Sequence, residues 1–156
     1  MTKPPRGTPP RVGPGIEVGV TEAMIHEQVH TFYGQVRRDP ALGPIFSRII
    51  DDWDTHLDKM CDFWSSVLLM TGRFKGSPMA AHVGIPDIRP THFARWLHLF
   101  AQTARAVCPP PAAELFIAKS EMIARSLQLG IAASRGEFPP MPPSGGQRRA
   151  RPEPLA

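Results

Sequence analysis

Six histidines are spread over 156 residues, and three places among them could carry chemistry. His26-Glu27-Gln28-Val29-His30 spells H-E-x-x-H. On a helix, histidines at i and i+4 share a face and can reach one Zn²⁺, with the glutamate as general base. That reaction needs a third protein ligand. The extended zinc pattern asks for Gly at 33 and His at 36, where this chain has Tyr33 and Val36. The competing reading is a solvated helix face. His82 stands apart, on a short apolar patch followed by Gly84, Pro86 and Pro90, just ahead of a helix bearing Trp96. A lone histidine there is a packed or capping residue, or it holds something. His56 lies within an apolar helix face, four residues before Met60, and Tyr33 is the one tyrosine of the chain. Each of these has an ordinary structural explanation, a satisfied core imidazole or a half-buried aromatic with a polar tip. Taken together they describe a helical pocket with one potential metal ligand and three hydrogen-bond donors. Phe32, Phe46, Met60, Phe63, Phe93 and Met122 would line it. Such a pocket suits a flat apolar cofactor that brings its own metal, and haem fits: one neutral imidazole holds the iron and polar groups face its ligand. The absence of C-x-x-C-H makes any such haem non-covalent, a haem b.

The elements that must position these residues are helices. Thr21 is a good N-cap, and Met24, Ile25, Val29, Phe32 and Val36 follow the helical period until Asp39-Pro40 stops it. A short piece at 41–50 follows. A long helix spans about 52–70 with the stripe Trp53, Leu57, Met60, Phe63, Trp64, Val67 and Leu68. An irregular stretch over 71–90, broken by Gly72, Gly76 and Pro78, carries a brief turn with His82. Pro90 and Thr91 open a helix with Phe93, Trp96, Leu97, Phe100 and Val107, and "CPPP" ends it. A last helix is expected over 112–135. The fold class is all-α, with four main helices and no strand alternation.

Composition sets further bounds. Apolar residues make up 42% and charged residues 21%, which supports one soluble domain with a real core. The net charge of +4 sits at the ends: Lys3, Arg6 and Arg11 in 1–15, and Arg148, Arg149 and Arg151 against Glu137 and Glu153 in 137–156. Residues 16–136 sum to zero. A nucleic-acid-binding domain would carry its basic patch on the fold itself, so none is expected. Both ends are Pro-rich and are read as disordered tails around one domain at 16–136. No apolar run reaches membrane-spanning length, and the N-terminus lacks the apolar stretch of a secretory signal, so a cytoplasmic location is expected. Cys61 and Cys108 show no C-x-x-C spacing and read as reduced, buried thiols.

Four separated strings then become specific: "FYGQVRRDPALGPIF", "DDWDTHLDKMCDFWSSVLL", "GSPMAAHVGIP" and "HFARWLHLF". In this order and spacing the chain resembles a group III truncated haemoglobin over about residues 20–130. The resemblance implies a two-over-two globin-like helical sandwich. It implies that His82 is the proximal histidine on the iron, Tyr33 the distal tyrosine, His56 the distal-helix histidine at the ligand gate, and Trp96 a tryptophan whose N–H points into the pocket. Phe46 matches the phenylalanine that wedges the haem, and Met60 overhangs the iron. Phe63, Phe74, Phe93 and Met122 are expected among the cofactor contacts, with Lys59, Arg73 or Lys75 reaching a propionate. The implied ligands are O₂, NO or CO. A polar distal side suits redox chemistry on the ligand, oxidation of NO or handling of peroxide, more than bulk oxygen transport. Storage or sensing without turnover is the alternative. No flavin or nicotinamide motif is present, so turnover would need a separate reductase.

Overall fold

A computed structural model describes residues 13–83, 85 and 88–136. The expected tails, except for residues 13–15, lie outside the described residues. Among the described residues seven helices follow in order: α1 (Pro14–Glu17), α2 (Glu22–Arg38), α3 (Gly43–Ile49), α4 (Trp53–Leu69), α5 (Pro78–Val83), α6 (Pro90–Val107) and α7 (Pro110–Ser134). There is no strand among the described residues.

Local chemistry explains where the helices begin and end. The Thr21 hydroxyl accepts from the Met24 N–H at 3.1 Å and caps α2. The Asp52 carboxylate does the same for α4, accepting from the Thr55 N–H at 3.2 Å and its hydroxyl at 2.7 Å. Met70 closes α4 in the left-handed region at φ 60°. At α6 the His92 ring accepts from the Arg89 N–H at 2.9 Å, and Pro90 takes the first turn, where its missing N–H costs nothing. The same logic corrects one boundary. The prolines expected only to end α6 also begin α7, which starts at Pro110 and not at 112.

Two helix pairs make the body. α6 and α7, joined by Cys108 and Pro109, pack as a helical hairpin, α2 packs on α4, and α2 and α6 join the pairs. α3 leans on α2, and α5 on α7. The larger core joins Ile25, Val29, Phe32 and Val36 of α2 to Trp64 and Leu68 of α4, Phe100 of α6 and Phe116 of α7. A second cluster gathers Ile45, Ile85, Ile88 and Phe93 against Ala124, Leu127 and Ile131 of α7. α1 was not expected. Gly13 and Gly15, read as tail, are buried against the end of α4, where a Cβ on Gly13 would come within 2.3 Å of the Leu68 carbonyl oxygen. Only glycine allows that approach.

One buried carboxylate ties the site's elements together. Asp39 follows α2, with its side chain 3% exposed. Oδ2 accepts from the Ala41 and Leu42 N–H groups, both at 3.0 Å, and Oδ1 takes the Arg95 guanidinium of α6 at 2.7–2.8 Å. It fixes the end of α2, the approach to α3 and the first turns of α6.

Candidate functional site: aromatic side chains around two histidines

His82 comes from α5, a six-residue helix that α7 supports. Its Nδ1 lies 2.7 Å from the Pro78 carbonyl oxygen, four residues back. A carbonyl can only accept, so Nδ1 carries a proton, and in the neutral ring Nε2 keeps its lone pair. That is the tautomer of a metal-ligating imidazole whose outer nitrogen is oriented by a backbone carbonyl. The Phe93 ring lies 6.4 Å away, tilted by 35°, and joins His82 to the second apolar cluster.

Tyr33, His56 and Trp96 gather on the side of the larger core. Tyr33 is 6% exposed. Burial pushes its pKa well above the usual phenol value, with the Trp96 side chain opposing it, so the hydroxyl stays protonated. An indole N–H is donor only, so Trp96 acts on the phenol oxygen and the tyrosine's own proton is left for another acceptor. Trp96 stacks on Phe100 at 5.1 Å with planes 5° apart.

His56 stands edge-on to Tyr33, with ring centroids 5.0 Å apart and planes at 88°. Its Nε2 is buried and has no hydrogen-bond partner. Burial drives its pKa down to about 4, and the charges of Lys59 and His82 push the same way. His56 is therefore neutral at neutral pH, and it lies near enough to His82 to feel its charge.

The remaining expected contacts divide. Phe46 is half-buried, 6.0 Å from the Tyr33 ring, and Met60 and Phe63 are half-buried against the larger core. Phe63 and Phe74 meet edge to face at 5.2 Å. Lys59 is exposed beside His56. Met122 is 53% exposed and belongs to neither apolar cluster. Arg73 pairs with Glu22 at 2.6 Å and Asp62 at 3.4 Å and donates to Ser65 at 2.9 Å, which closes the end of α4 onto the start of α2.

The H-E-x-x-H string does not assemble a zinc centre. His26 and His30 stack at 3.9 Å with planes 18° apart, and His26 and Glu27 are exposed. Among the described residues, no group of three or more His, Cys, Asp and Glu side chains could hold a metal ion. The His30 pKa is lowered by burial and by His26, against the opposing charges of Asp58 and Asp54 of α4. That places His30 toward α4. The cysteines are free, and burial raises both thiols to about 11, which makes them poor nucleophiles. No helix of the described residues is long and apolar enough to cross a membrane.

Two residues in this neighbourhood escaped the sequence reading. Pro78 supplies the carbonyl that orients His82, and the i, i+4 spacing was the available signal. Trp53, read as part of a core stripe, packs its ring against His56 at 5.7 Å and lies under the Arg37 guanidinium.

No family model matches the chain. A curated relative does: the group 3 truncated hemoglobin ctb of Campylobacter jejuni is 30% identical over 113 residues, covering 70% of this chain and 89% of the relative. The crystal structure of a group III truncated hemoglobin from Campylobacter jejuni superposes with a TM-score of 0.67 at 31% identity, again covering 70% of this chain and 89% of that one. At this identity and coverage, with an all-helical body that matches the truncated globin fold, the chain belongs to the group III truncated haemoglobins.

Proposed function

We propose that this protein binds haem b non-covalently and takes a diatomic ligand, O₂, NO or CO, in the space between Tyr33 and His82. The observation that carries the reading is the pair of imidazoles. His82 turns Nδ1 to the Pro78 carbonyl, which leaves Nε2 for a metal, and His56 has a buried, unpartnered Nε2 within electrostatic reach of His82. A flat apolar group with a central metal answers both, and Phe46, Met60, Phe63 and Phe93 offer it apolar contact. When bound, haem supplies an iron that holds a small ligand and exchanges electrons with it.

The chain's own part follows from the donors. Tyr33 offers a buried, protonated hydroxyl, and Trp96 acts on its oxygen. A neutral His56 places no positive charge beside the ligand. A hydrogen bond to a partly anionic ligand contributes about 1.5–3 kcal/mol, which slows release by one to two powers of ten. Slow release fits redox work on the ligand, oxidation of NO to nitrate or removal of peroxide, better than oxygen transport. The chain carries no flavin or nicotinamide motif, so a separate reductase would supply electrons. Stopped-flow measurement of O₂ dissociation tests the donor: Tyr33→Phe should release O₂ about ten- to a hundredfold faster, and an unchanged rate removes Tyr33 from the role. Steady-state NO consumption with a reductase separates turnover from storage or sensing.

A further inference from the structure

The aromatic contacts around His56 continue outward to the surface. Tyr33 is buried, His56 and Trp53 are half-buried, and Arg37 is exposed. The His56 ring is flanked edge-on by Tyr33 at 5.0 Å and by Trp53 at 5.7 Å, both with planes at 88°. Its Nε2 makes no hydrogen bond, so packing sets the ring's position. Trp53 is the first residue of α4, and its ring also meets Tyr33 at 6.1 Å. From the last turn of α2, Arg37 lays its guanidinium over the Trp53 ring, 4.5 Å from the centroid. The backbone under Arg37 is anchored two residues on, by Asp39 and its bonds to Ala41, Leu42 and Arg95. The cation therefore reaches across the α2–α4 seam from a fixed base.

We propose that Arg37 and Trp53 form a latch over His56: the guanidinium–indole contact holds Trp53 against the imidazole, limits how often His56 moves aside, and so sets the rate at which a diatomic ligand enters. The proposal rests on the haem reading above. Neither residue touches the ligand; both are positioning residues. Tyr33 stabilises the bound ligand and so slows release alone, whereas the latch sets a barrier that the ligand crosses both ways and so scales association and dissociation together.

The test is CO rebinding after laser photolysis of the full-length, haem-loaded protein. Arg37→Gln removes the cation from an exposed position and should raise the bimolecular CO association rate about two- to fivefold. Arg37→Lys, which keeps a cation over the ring, should restore most of the original rate. Trp53→Ala should exceed Arg37→Gln, with Trp53→Phe between it and the parent. A purely structural role would lower the melting temperature and leave the association rate unmoved. Unchanged rates in Arg37→Gln and Trp53→Phe, with haem bound, overturn the latch alone. A parent chain that takes up no hemin overturns the haem reading and the latch with it.

Discussion

On the proposed reading Trp96 acts on a ligand through the Tyr33 oxygen, so the two side chains serve as one donor unit. Trp96→Phe keeps an aromatic ring near Phe100 and removes only the indole N–H. O₂ release should therefore quicken in Trp96→Phe, but less than in Tyr33→Phe, and the double variant should match Tyr33→Phe alone. Stopped-flow dissociation of all three checks this; additive effects of the two changes would instead mean two independent donors. Residue types and order made both side chains visible in the sequence. Their pairing was not, because it depends on how α6 meets α2. Arg73 shows the same limit: its partner Glu22 lies 51 positions away, and nothing local announces the pair.

At the scale of elements, Asp39 is the joint on which α2, α3 and α6 meet. Burial alone would raise its carboxyl pKa, but the Arg95 hydrogen bond, the Leu42 and Ala41 N–H groups and the Arg95 charge outweigh it, and the pKa lies below the usual 3.8. A folded-state pKa below the unfolded one means that the unfolded chain binds more protons as the pH falls. The stabilisation from Asp39 is thus fully present above the ordinary carboxylate range and is lost as the pH falls through the folded-state value. Asp39→Asn should lower unfolding free energy at neutral pH by about 1–3 kcal/mol. It should also flatten the loss of stability below about pH 4. Urea titrations between pH 3 and 7 read both effects; parallel curves for parent and variant would contradict the assignment. The Pro40 stop and the helical stripes made α2, α4 and α6 legible from periodicity. α1 was not, since its proline and glycines look like tail until Leu68 is there for them to pack on.

The whole molecule divides its labour between two apolar clusters. Tyr33 and Trp96 belong to the larger one, whereas His82 neighbours Phe93 of the smaller one. On the proposed reading, one cluster would meet each face of a flat group. The four main helices and the long segment before His82 were readable from spacing and from the family resemblance. The tautomer of His82 and the isolation of His56 Nε2 required the packed chain. The central claim is that His82 carries an iron porphyrin, and an absorption spectrum of the purified protein, alone and after adding hemin, tests it most directly when run beside His82→Gly. The account predicts a strong Soret band in the parent that weakens or shifts in the variant and recovers with added imidazole. No Soret band in the parent with hemin present, or the same band in parent and variant, would contradict it.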